Sequence, residues 1–147
     1  MADVETLKGL LERVRAAKGP DKATLNEFVR PLDADLFETF GGPRWDAAYR
    51  QAQGSMGAPH ENAVREARYY ASRFTGSIDA TVEAIGRILP GSTWAVFSDG
   101  TAWVWPDASM DLLKGHQGKA ATPELALCAA LLQALIARTE TDGGRDA

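Results

Sequence analysis

The sequence predicts an α+β fold in which a small antiparallel sheet, centred on a Trp-rich hairpin at about 93–105, packs between helices in an α/β/α-sandwich-like arrangement. Three observations predict it. Apolar residues recur at helical spacing in the stretches 4–17, 78–89 and 125–136. Two β-rich runs, Thr93-Trp-Ala-Val-Phe-Ser and Thr101-Ala-Trp-Val-Trp, flank Asp99-Gly100, a pair that suits a two-residue hairpin turn because both central residues of that turn take positive φ. Such a hairpin is apolar on both faces, so both faces want cover.

Taken in order, Val4, Leu7, Leu11 and Val14 share one helix face, with Asp3 as N-cap and Gly19-Pro20 as a stop. Thr24-x-x-Glu27 has the form of a capping box, and a second helix starting there is bent or split by Pro31. Residues 41–60, with Gly41, Gly42, Pro43, Gly54, Gly57 and Pro59, read as a loop or mobile segment. Glu61 to Tyr70 reads as a third helix carrying Ala63, Ala67 and Tyr70 on one face, followed by an extended stretch over Ser72 to Thr75. Ser77 then caps a helix whose stripe is Ile78, Val82, Ile85 and Leu89, ended by Pro90-Gly91.

A two-residue turn at Asp99-Gly100 sets the hairpin register: Ser98 faces Thr101, Val96 faces Trp103 and Trp94 faces Trp105. Trp94, Val96, Trp103 and Trp105 then share one face, and Ala95, Phe97, Ala102 and Val104 the other. Because two strands alone are marginal, a third is expected near Tyr70 to Thr75 or Met110 to Lys114, within surroundings (106–121) that otherwise read as loop. Thr122-Pro123 starts the last helix, with Leu125, Cys128, Leu131, Leu132, Leu135 and Ile136 on a broad apolar face. Residues 139–147 carry no apolar pattern and are expected to be a disordered tail, which leaves one domain over 1–138 with room for an insertion at about 24–70.

The chain has 147 residues, 45% hydrophobic and 24% charged, the balance of an ordinary globular domain. Its net charge of −4 argues against general nucleic-acid binding, which needs a surplus of Lys and Arg. Cys128 is the sole cysteine and cannot pair within the chain, no zinc-ligand spacing occurs, and the charged amino terminus lacks the apolar run of an export signal. The longest apolar run, Leu125 to Ala137, falls short of the roughly 20 residues of a membrane span. The expectation is a protein of a bacterial cytoplasm with no cofactor, no metal and no membrane contact.

Thr75-Gly-Ser-Ile-Asp-Ala80, Leu89-Pro-Gly, Thr93-Trp-Ala-Val, Asp99-Gly-Thr-Ala-Trp-Val104 and Ala120-Ala-Thr-Pro-Glu-Leu-Ala-Leu-Cys-Ala-Ala130 together resemble small phage and prophage proteins of the phage ABA-sandwich type. The resemblance covers mainly residues 75–137, with a weaker echo in Leu11 to Asp21. It implies helices on both sides of a sheet and a source in a phage or phage-like element. No catalytic residue comes with it. The segment Thr24 to Tyr70 departs from the shorter family members, which makes it a place for a function of this chain's own.

No catalytic constellation is read from the sequence. Cys128 sits on an apolar helix face, as a structural cysteine does, and His60 and His116 lack paired carboxylates. Gly115-His-Gln-Gly-Lys119 lacks the spacing of a phosphate loop and reads as a plain turn, while Asp33, Asp35 and Glu38 read as a solvated helix edge. Two features stand out. Trp94, Trp103 and Trp105 form either core or an interface, since Trp brings large area and a polar N–H to contacts. Residues 44–73 hold five arginines against three acids, interleaved with aromatics, so Trp45, Tyr49, Arg65, Arg68 and Tyr69 are candidate binding residues. The function expected is that of a non-enzymatic phage or prophage accessory protein that binds a host or phage protein, for instance to modulate host defence. The alternative is a protein that binds or sequesters a nucleotide-like small ligand through the same arginines and aromatics. Homo-oligomerisation through the hairpin edge or its Trp face accompanies either reading.

Overall fold

The computed structural model describes residues 3–19, 32–40, 74–107, 111 and 113–145. The predicted capping box at Thr24, the loop over 41–60 and the helix over 61–70 lie outside the described residues. Helix α1 spans Val4–Ala16, opened by Asp3, whose Oδ1 accepts the Thr6 amide at 2.8 Å. Leu7, Leu10, Leu11 and Val14 are buried along it, as the periodicity requires. Helix α2, Leu32–Phe40, starts at the residue after Pro31 and buries Leu32, Leu36 and Phe40, one turn apart each. The Phe40 ring meets Phe74 edge-on, with centroids 5.2 Å apart.

Helix α3 spans Ile78–Ile88 behind the Ser77 cap, whose hydroxyl accepts the Ala80 amide at 3.3 Å. Its buried face is not centred on the large residues of the predicted stripe. Ala80, Thr81, Ala84 and Ile85 face inward while Ile78 and Val82 are half-buried, which brings α3 close to the last helix. There Cys128 Sγ lies 3.3 Å from Thr81 Oγ1 and donates to the Phe74 carbonyl at 3.3 Å.

Strands β1 (Thr93–Val96), β2 (Thr101–Trp105) and β3 (His116–Lys119) form an antiparallel sheet in that order. Among the described residues the third strand is therefore at neither predicted place, although 70–73, Met110 and Leu112 of those two stretches lie outside the described residues. Phe74 and Thr75 form a buried turn whose Phe74 carbonyl is taken by Cys128, and the amides of Lys114 and Gly115 both turn back on the Asp111 carbonyl. The strand is instead His116–Lys119, within the stretch Gly115-His-Gln-Gly-Lys119 that its glycines marked as a turn. Gly118 is there because β3 runs against the last helix: a Cβ at that position would overlap the Ala126 carbonyl oxygen and the Ala130 amide nitrogen.

Helix α4, Pro123–Arg145, is the centre of the molecule. Thr122 Oγ1 accepts the Leu125 amide at 3.2 Å, and proline at the first helical position loses no bond. Every residue from Leu125 to Leu132 is fully buried, because the sheet covers one side of α4 and α1 and α3 pack on the faces the sheet leaves. Leu127, Leu131 and Leu132 each contribute about 1.5–3 kcal/mol of burial. The helix also continues to Arg145, well into the stretch 139–147 read as a disordered tail. Backbone hydrogen bonding propagates past the last apolar residue, aided by Thr141 bonding back to the Ala137 carbonyl and by a Lys8–Glu140 ion pair to α1.

Candidate functional site

The hairpin does not close with the two-residue turn that Asp99-Gly100 suggested. The Phe97 amide donates to the Thr101 carbonyl at 2.8 Å and the Gly100 amide to the Phe97 carbonyl at 3.3 Å, so the loop is Ser98-Asp99-Gly100. Gly100 takes φ +88°, as the third residue of such a loop must. Asp99 Oδ1 accepts both the Thr101 hydroxyl, at 2.6 Å, and the Thr101 amide, at 3.0 Å. Those two bonds, the hydroxyl first, hold the Asp99 carboxyl below its ordinary pKa.

One extra loop residue shifts the register by one, and every β1 side chain changes face relative to β2. Thr93 pairs with Trp105, Trp94 with Val104, Ala95 with Trp103 and Val96 with Ala102. Trp94 thus leaves the side of Trp103 and Trp105 and joins Val96, Ala102 and Val104, on the face that meets α4. Phe97, placed beside Ala102 and Val104 by the predicted register, moves to the side of Trp103 and Trp105. The sequence signal that could have found it is Ser98-Asp99-Gly100 itself, a three-residue loop with glycine last.

The two faces differ in cover. Ala102, Val104 and Gly118 are buried beneath α4. On the opposite face Trp105 is 2% exposed, because the chain after it folds over the ring: its Nε1 donates to the Asp111 carbonyl at 3.0 Å and Gly115 lies against the rings of Trp105 and Trp103. Trp103 stacks on Trp105 with centroids 5.7 Å apart and 13° between planes, and stays half-buried. Beyond that cover the aromatics surface. Phe97 is 47% exposed on one face and Trp94 39% exposed on the other, both on the β1 side of the hairpin, where α4 makes little contact. Of the three candidate interface tryptophans, Trp105 is core, Trp103 is partly covered and Trp94 is exposed on the other side of the sheet.

The remaining candidates are placed as follows. Cys128 is fully buried between α3, α4 and the turn at Phe74. His116 lies on β3 opposite Val104, and burial holds its imidazole below the ordinary pKa. Asp35 is tied to Arg13 in an ion pair between α2 and α1. Among the described residues no group of three His, Cys, Asp or Glu side chains is arranged to hold a metal ion, and no helix is long and apolar enough to cross a membrane. A cleft of about 250 Å³ between the helices is lined by Leu7, Thr39, Ile88, Leu135 and Arg138, whose guanidinium donates to the Ile88 carbonyl at 3.3 Å. Trp45, Tyr49, Arg65, Arg68, Tyr69 and His60 lie outside the described residues. What the described residues bring together is an exposed aromatic hairpin edge. No family model, curated protein or solved structure matches the chain.

Proposed function

We propose that the protein is a non-enzymatic binding protein whose partner is another protein, docked against the β1 side of the hairpin. The observation that carries this is the pair of exposed aromatics, Phe97 and Trp94, on a hairpin whose Trp105 is buried with Trp103 stacked on it. Large aromatic side chains left in water at the rim of a rigid sheet are the residue type that anchors protein contacts. The hairpin is stiff enough to present them, since Asp99 clamps its loop and α4 its far strand. The setting implied by the resemblance of residues 75–137 is a phage or prophage, with a host or phage protein as the partner and modulation of host defence as the kind of outcome such binding serves.

The test is native mass spectrometry of the full chain purified gently from its own host, beside Phe97→Ser. A stoichiometric protein companion that is lost or weakened at least about tenfold in Phe97→Ser supports the reading. A companion bound equally by both would place the contact elsewhere. A retained mass of a few hundred daltons with no protein would favour the nucleotide-type reading instead.

A further inference from the structure

We infer that the outer edge of β1 is a strand-addition site, which takes a short extended peptide segment of the partner protein as a fourth, antiparallel strand. The inference rests on the binding-protein reading and specifies how that partner is held. Its basis is the direction of backbone groups. The Phe97 amide and carbonyl both engage the β2 side of the hairpin, at Thr101 and Gly100. Alternation along an antiparallel pair turns the groups of Ala95 and Thr93 the same way and those of Trp94 and Val96 outward. Among the described residues no strand pairs with that edge.

The two edges of the sheet are built differently. On β3 the outward positions are Gln117 and Lys119, both exposed, and a lysine on an edge is one of the ordinary devices against unwanted pairing. On β1 the run Thr93-Trp-Ala-Val has no charge, proline or glycine, and its register with β2 is unbroken by a bulge. An added strand would find two outward amides, two outward carbonyls and an exposed aromatic on each face of the sheet, Trp94 on one and Phe97 on the other. Main-chain bonds then hold the peptide, and alternate side chains meet the aromatics.

Size and charge select a peptide over a second copy of the chain. Four residues give an edge only about 13 Å long, the span of a short peptide, and pairing over that length buries far less than the roughly 800 Å² per partner of a stable complex of folded proteins. Two copies would also each bring a net charge of −4. A flexible segment, above all one flanked by lysines, meets neither obstacle.

The experiment titrates the isotope-labelled full chain with the capped peptide Lys-Val-Thr-Val-Thr-Val-Lys. The same peptide N-methylated on the amides of one edge serves as a blocked probe. Saturable binding is expected, with the Trp94 and Val96 amides slowed in hydrogen exchange and with the methylated peptide at least about tenfold weaker. Val96→Pro removes one outward donor but none of the bonds to β2, and should weaken binding by a similar factor, whereas Val96→Thr keeps the donor and the affinity. The inference is overturned by no saturable binding up to millimolar peptide, or by equal binding of the methylated probe. It is also overturned by a wild-type dimer that Val96→Pro dissolves, since a second copy would then occupy the edge. A protein partner that needs Phe97 yet still binds Val96→Pro would overturn strand addition while leaving the binding-protein reading intact.

Discussion

The two edges of the sheet are an experiment in how a strand is sealed. On the β3 side, Gly118 pairs with Ala102 and lets the strand backbone touch the backbone of α4 at Ala126 and Ala130. On the β1 side the side chains are larger and more apolar, yet α4 barely reaches them, and Trp94 and Phe97 stay in water. Burial in this protein thus follows closeness of approach more than hydrophobicity. A single glycine lets β3 dock, although the rest of the strand is polar, while the aromatic strand is left for a partner.

Substitutions can break that contrast, and the largest effect is expected at Gly118. Gly118→Val drives a side chain into helix backbone that cannot move aside, so it should cost at least about 3 kcal/mol, or prevent folding, as read by chemical denaturation. A loss under about 1 kcal/mol would mean that β3 does not dock so closely. Gly100→Ala has open space around its Cβ, the nearest atom being 3.9 Å away, so only the positive φ is penalised. Its cost should be about 1–2 kcal/mol, and if the two-residue turn were correct the peptide register seen by nuclear Overhauser contacts would place Val96 opposite Trp103 rather than Ala102.

Acidification should act on the β3 side through His116. Burial lowers its folded pKa below the ordinary 6.5, so between the two values the unfolded chain binds more protons than the folded one. Stability is therefore expected to fall as pH drops through about 6.5 and to level off below the folded pKa. His116→Asn should flatten that part of a denaturation series against pH; an unchanged slope would assign the loss to other groups. The smallest effect on stability belongs to β1: Phe97→Ser removes an exposed ring and should shift unfolding by no more than about 0.5 kcal/mol while abolishing the proposed partner contact. A large destabilisation would show the ring to be structural.

Much of the scaffold was legible because its signals are local. Asp3, Ser77 and Thr122 each cap the helix they were expected to cap, and Leu7, Leu11 and Val14 are buried at the spacing that named them. On α3 periodicity found Ile85 and Leu89, which are buried, while Ile78 and Val82 only border the core because close packing on Cys128 also turns Ala80, Thr81 and Ala84 inward. The candidate site was legible only as a concentration of aromatic residues. Asp-Gly fits a two-residue or a three-residue loop, and the choice between them decides whether Trp94 or Phe97 shares a face with Trp103.

By itself, then, the sequence determined the class of the fold, two capped amphipathic helices, a capped last helix buried along Leu125 to Leu132 and the presence of a hairpin at 93–105. Tertiary structure decided between the two loops that Asp99-Gly100 allows, and with them the hairpin's register, the use of His116–Lys119 as its third strand and the exposure of Phe97 and Trp94. The physical reason is range. Caps and periodicity act within a turn or two of chain, whereas register and exposure depend on which cross-strand neighbours are small enough to lie beneath α4, and Ala102 beside Gly118 is a pairing that only the folded sheet creates.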